Sequence, residues 1–152
     1  MGNGTTIESH VPVEHTNLSD MVTIFANWGH TGGIKADGSV WSWGHNGTGK
    51  LGTGLTSDEL SPVEISTLSD VNTFAPGGRH SMFLLSNGDI YSTGDNDEGQ
   101  CGFTIGTTFY LDPLLISGTC ALEVTGVEEG ETSKEALIVY PNPAENFIDF
   151  NW

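Results

Sequence analysis

Apolar and polar residues alternate on both sides of Asp37-Gly38 in GGIKADGSVWSWG, and again around Asn87-Gly88 in SMFLLSNGDIYSTG. A period of two sends successive side chains to opposite faces of a strand. Asp-Gly and Asn-Gly between such runs predict hairpins, because both central residues of a type I′ turn need positive φ. Two further short runs read as flanking strands. One is Pro-Val-Glu, at 12–14 and 62–64; the other is Met/Val-x-Thr-Ile/Phe, at 21–24 and 71–74. Charged residues make up only 16% of the chain and glycine contributes 21 residues, a composition suited to short strands and tight turns rather than helices. The pattern predicts an all-β fold.

The pattern also repeats. PVEHTNLSDMVT at 12–23 and PVEISTLSDVNT at 62–73 are offset by 50 residues with no gap. The register persists through His30/His80, Gly38/Gly88, Ser42/Ser92, Gly44/Gly94, Asn46/Asn96 and Gly49/Gly99, with about one pair in three identical. That is the mark of a duplication. Units run near 2–51 and 52–102. Pro113 lies one residue beyond the expected spacing and is followed by LLIS, which resembles VEIS after Pro62 and marks a partial third unit from 103. Four strands in roughly fifty residues is the size of a β-propeller blade.

His30, Asp37, Gly38, Trp41, Gly44, Asn46, Gly49 and Gly52, with their partners from His80 to Gly102, resemble the repeat of the regulator of chromosome condensation family. The resemblance covers about residues 2–118. It implies a seven-bladed propeller in complete members, and here a partial propeller of about two four-stranded blades. Two blades cannot close a ring. The chain therefore reads as a fragment, or as a unit that self-associates through its open blade edges.

After Ser117 the composition shifts. Residues 119–135 carry Glu128, Glu129, Glu131 and Glu135 among small residues and read as an acidic linker. Residues 136–152 resume a strand pattern at Leu137–Tyr140, broken by Pro141 and Pro143, which lack ladder donors. Tyr140-Pro141-Asn142-Pro143 between apolar runs resembles the start of the type IX secretion C-terminal sorting domain, a small β-sandwich of Gram-negative bacteria. That resemblance implies first strands of such a sandwich, a partner in the outer-membrane secretion machinery, and a secreted or cell-surface location. Cys101 and Cys120 fit either a reduced pair or one disulfide. The secretion signature favours the disulfide. Cys101 takes the place of Leu51 in the repeat, so it is expected to point into a blade.

Charge narrows the partners. Acidic residues number 20 against 4 basic ones, for a net charge of −16, and Lys35, Lys50, Arg79 and Lys134 form no stripe. Nucleic acid and anionic lipid are poor partners for such a chain, and no apolar run is long enough to span a bilayer. GHNGTGKL at 44–51 comes within one residue of a phosphate-binding loop. The stretch after it carries two glycines and ends at Pro62, so it is no helix, and the repeat copy GDNDEGQC replaces Lys50 by Gln100. It reads as a turn. Asp95 and Asp97 form a weak calcium candidate, without the distal Glu of an EF-hand loop. His10, His15, His30, His45 and His80 show no metal-ligand spacing, and Ser81 beside His80 lacks a nucleophile elbow. No cofactor and no catalytic residue is expected. The expected function is a non-catalytic propeller protein, secreted or on the cell surface, that binds protein or glycan. The alternative is a fragment of an extracellular hydrolase whose catalytic part lies outside this chain.

Overall fold

The computed structural model describes residues 2–15, 18–105 and 108–116; the linker and the sorting motif lie outside these. The described residues form two antiparallel four-stranded sheets, each a meander in chain order. The first holds β1 (Met21–Asn27), β2 (His30–Lys35), β3 (Val40–Gly44) and β4 (Glu59–Glu64). The second holds β5 (Val71–Pro76), β6 (His80–Leu85), β7 (Ile90–Asp95) and β8 (Phe109–Leu115). The all-β reading with two four-stranded blades holds.

The phase of the blades differs from that of the sequence units. Residues 109–115, counted above toward a third unit, complete the second sheet by pairing with β7. The extra residue before Pro113 appears in the register: Trp41 faces Glu64, whereas its counterpart Tyr91 faces Leu115. Pro12–Glu14, the copy of the β4 segment, forms no strand.

The hairpins lie where the alternation put them, with a different turn. Asp37 keeps negative φ and only Gly38 is positive, at φ 82; Gly88 repeats this at φ 93. Lys35 N–H donates to the Ser39 carbonyl and Leu85 N–H to the Asp89 carbonyl, giving three-residue loops. The side chains of Asp37 and Asn87 accept from the N–H two residues on, which supports that wider form. The tight turn with two positive φ values is instead Trp28-Gly29, between β1 and β2.

The core is the seam between the sheets. Ile34 and Val40 from the first sheet pack on Val71, Phe74 and Phe83 from the second, with Ile65 and Leu68 from the connection. Phe74 stacks on Phe83 at 5.0 Å and meets Phe25 edge-on at 5.7 Å. Gly32 is required here because the Phe74 ring lies where its Cβ would stand.

Candidate functional site

GHNGTGKL is a structural hub. Asn46 is fully buried; its Oδ1 accepts from Leu51 N–H at 2.9 Å and its Nδ2 donates to the Leu55 carbonyl at 2.8 Å. Asn96 repeats this, accepting from Cys101 N–H and donating toward Phe103 and Thr104. Ser42 and Ser92 donate to the carbonyls of Leu51 and Cys101. The repeated Ser, Asn and Gly positions thus brace the long β3–β4 and β7–β8 loops.

Lys50, which the repeat does not preserve, joins the blades. Its ammonium donates to the Trp28 carbonyl at 3.0 Å and the Gly78 carbonyl at 3.1 Å, which are repeat-equivalent positions on the two hairpin tips. The side chain is buried, and that burial lowers its pKa despite the nearby Asp58 carboxylate. Around this latch, Thr48 Oγ1 donates to the Arg79 carbonyl and Asn27 Nδ2 to the Pro76 carbonyl.

Below the tips sits a sealed polar pair. His30 Nε2 lies 3.1 Å from Ser81 Oγ, which donates to the Lys50 carbonyl. Both residues are buried. Burial, aided by the Lys50 charge, lowers His30 from 6.5 to about 4, so the ring is neutral. Sequence adjacency had drawn Ser81 toward His80; its partner is His30 in the other repeat.

What stays exposed at the tips is Trp28, 81% accessible and held at φ 27, unusual for a bulky residue. A shallow groove of about 370 Å³ runs beside it, lined by Ala26, Asn27, Trp28, Gly29, His30 and Thr31. His45 stands exposed next to Gly29. Arg79 is 61% exposed, its Nε 2.8 Å from Asp95 Oδ2. Because one ammonium touches both tips, the Trp28 and Gly78 carbonyl oxygens stand within about 6 Å of each other. The face therefore combines an aromatic platform with a guanidinium on a strongly acidic protein. Sequence reading missed Trp28. The signal was its break with the repeat, since Gly78 stands at the matching position.

The remaining candidates fall elsewhere. Asp95 and Asp97 do come together, since Asp95 Oδ1 accepts the Asp97 N–H at 3.0 Å. The Asp95 carboxylate is buried, with Arg79 Nε 2.8 Å from its Oδ2. Among the described residues no cluster of three His, Cys, Asp or Glu could hold a metal. Cys101 is buried, its Sγ 3.1 Å from the Asp95 carbonyl oxygen, and burial raises the thiol pKa to about 11. Its inward position agrees with the repeat; Cys120 lies outside the described residues, as do Tyr140, Pro141, Asn142 and Pro143. Among the described residues no helix is long and apolar enough to cross a membrane.

Comparison with known proteins agrees with this geometry. Two models of the regulator of chromosome condensation (RCC1) repeat match, over residues 37–84 and 73–100. No curated protein matches the chain. Among solved structures, human WBSCR16 is similar at 18% identity and a TM-score of 0.66, over 74% of this chain and 29% of that one. Prp20p from Saccharomyces cerevisiae, described with its binding properties to Gsp1p and histones, matches at 23% identity and 0.57, over 62% of this chain and 23% of that one. The structure of Kap60 bound to yeast RCC1 (Prp20) matches at 18% and 0.61, over 73% of this chain and 27% of that one. The chain thus spans less than a third of each of these three structures, and identities this low bear on fold alone. Family models and fold meet on the same residues: residues 37–100 resemble regulator of chromosome condensation repeats, and the two sheets have the fold of β-propeller blades.

Proposed function

We propose that the protein is a non-catalytic binding module whose contact face is the pair of hairpin tips around Trp28 and Arg79. The observation that carries this reading is the exposed Trp28 at positive φ, where the sister blade has glycine. A bulky residue in that conformation costs about 1–3 kcal/mol, and at 81% exposure the fold gains little buried area from it. Aromatic and arginine side chains on a rigid rim are also the residues that dominate protein interfaces. Solved propellers of this kind are described with protein partners, Gsp1p, histones and Kap60, which supports a protein partner by analogy of fold. An exposed indole equally suits the apolar face of a sugar ring, so a surface glycan is the second reading.

Cell-surface or secreted placement rests on the type IX resemblance at Tyr140–Pro143 and is part of the proposal, as is a Cys101–Cys120 disulfide. Fusing residues 119–152 to a reporter in a bacterium with that export system tests the placement. The reporter should reach the outer surface and be retained once Tyr140 and Pro141 are replaced by Ala. Export that survives the replacement removes the sorting role.

The binding reading is tested with Trp28→Gly, which restores the sister blade's residue. Purified extracellular proteins and soluble polysaccharides are the probes. Binding found for the wild type should weaken at least about tenfold, roughly 1.4 kcal/mol, while thermal stability stays equal or rises. Unchanged binding by Trp28→Gly removes this face from the function.

A further inference from the structure

Each sheet has two broad faces, and the repeat makes them comparable one to one. The face of the first sheet that meets the second carries Gly32, Ile34, Val40, Ser42 and Val63. Its counterparts on the second sheet are Met82, Leu84, Ile90, Ser92 and Leu114. Val40 is 0% exposed, but Ile90 is 41% and Leu114 is 42%. The second sheet in turn meets the first through Val71, Phe74, Phe83 and Tyr91, whose counterparts on the outer face of the first sheet are Met21, Ile24, Gly33 and Trp41. Phe74 is 0% exposed and Ile24 is 61%. The molecule therefore shows both halves of its own seam, one at each end.

The two exposed halves fit each other in size. At the internal seam the small partner is Gly32 and the large ones are Phe74 and Phe83. At the open faces the sizes are exchanged: Met82 replaces Gly32, while Ile24 and Gly33 replace Phe74 and Phe83. The turn geometry is preformed as well. Asp70, at φ 54, lets Val71 N–H reach the Gly38 carbonyl, and its Cα lies 3.0 Å from where a Gly38 Cβ would stand. Asp20 repeats the conformation at φ 62, while Gly88 has open space on the corresponding side.

We infer that copies of this chain associate head to tail, with the Met82–Leu84–Ile90–Leu114 face of one covering the Met21–Ile24–Trp41 face of the next. This is a heterologous contact between sheet faces, not pairing of strand edges, and it is separate from the hairpin-tip face proposed above. Such contacts close into rings or grow into open assemblies.

Residues 2–15 already cover the outer part of the receiving face. Gly2 lies against Trp43 as Gly52 lies against Thr93, and Gly4 N–H donates to the Leu60 carbonyl as Gly54 N–H donates to that of Leu111. The segment thus sits where residues 102–105 and 108–115 of an incoming copy belong. With Ile7 74% and Val11 69% exposed, it is held by little, so a copy displaces it.

Sedimentation of the full chain and its variants tests this. The wild type should exceed monomer mass as concentration rises. Ile24→Asp and Ile90→Asp, each at an exposed position, should both be monomers with unchanged circular dichroism. Their equimolar mixture should form a species of twice the monomer mass and nothing larger, because one intact face of each kind remains. Gly4→Pro, which removes the Gly4 donor, should shift assembly to lower concentration. Should Ile90→Asp misfold, Leu114→Asp serves in its place. A monomeric wild type, assembly untouched by both Asp variants, or a mixture that stays monomeric overturns the inference.

Discussion

Gly88 and Gly94 have nearly the same φ, 93 and 105, but different surroundings. A Cβ at Gly88 meets nothing within 4 Å, whereas one at Gly94 would lie 2.6 Å from the Arg79 carbonyl and from the His80 Cα. Gly88→Ala should therefore cost only the left-handed conformation, about 1 kcal/mol. Gly94→Ala adds a backbone collision and should cost at least about twice as much. Urea midpoints of the two variants check this, and equal losses would show that the close approach is not rigid. His30 sets a second residue-scale outcome. The unfolded chain takes up a proton near 6.5 but the folded chain only near 4, so stability falls as pH drops through that window. The full shift is worth roughly 3 kcal/mol at about 1.4 kcal/mol per unit. His80, also lowered by burial, acts in the same direction. His30→Gln should flatten the pH slope of the urea midpoint relative to wild type; an unchanged slope would place the linkage elsewhere.

At the scale of elements, the long β3–β4 and β7–β8 loops are held by one buried asparagine each. Asn46 makes bonds of 2.8 and 2.9 Å, while the amide of Asn96 reaches its carbonyls only at 3.3 and 3.4 Å. Asn46→Ala leaves the Leu51 N–H unpaired in the core and should cost about 2–3 kcal/mol, with Asn96→Ala costing less. Amide exchange across 45–58 and 95–105 should rise locally in the respective variant; protection that persists would mean that the glycines alone shape the loops. These elements were legible in the sequence because they are local. Alternation marked β2, β3, β6 and β7, and Asn46, Gly44 and Gly49 announced their turn role by recurring at Asn96, Gly94 and Gly99. The wider hairpin turn was not legible, since Asp-Gly serves both turn forms and only the Ser39 and Asp89 carbonyls decide between them. Contacts between repeats were equally hidden. The Lys50 latch and the His30–Ser81 pair join positions 22 to 51 residues apart, and no local pattern encodes such meetings.

At the scale of the whole described structure, the two sheets share one core rather than owning one each. Phe74 belongs to the second sheet, yet it stacks between Phe83 of its own sheet and Phe25 and His30 of the first. Ile34 and Val40 of the first sheet are buried in one cluster with Val71, Phe74 and Phe83 of the second. A single sheet of this size with one face bare is not expected to stand alone. The two blades should then unfold in one transition. Phe74→Ala removes a fully buried ring and should cost about 3–5 kcal/mol, and the loss should be felt in both sheets. Hydrogen exchange reads this directly, because β3 and β7 amides report one sheet each. Under a shared core, amides of both strands lose protection by the same free energy, although the substitution lies in only one sheet. If β3 keeps its protection while β7 loses it, the blades fold independently, and the seam is a contact between finished units rather than the core that makes them.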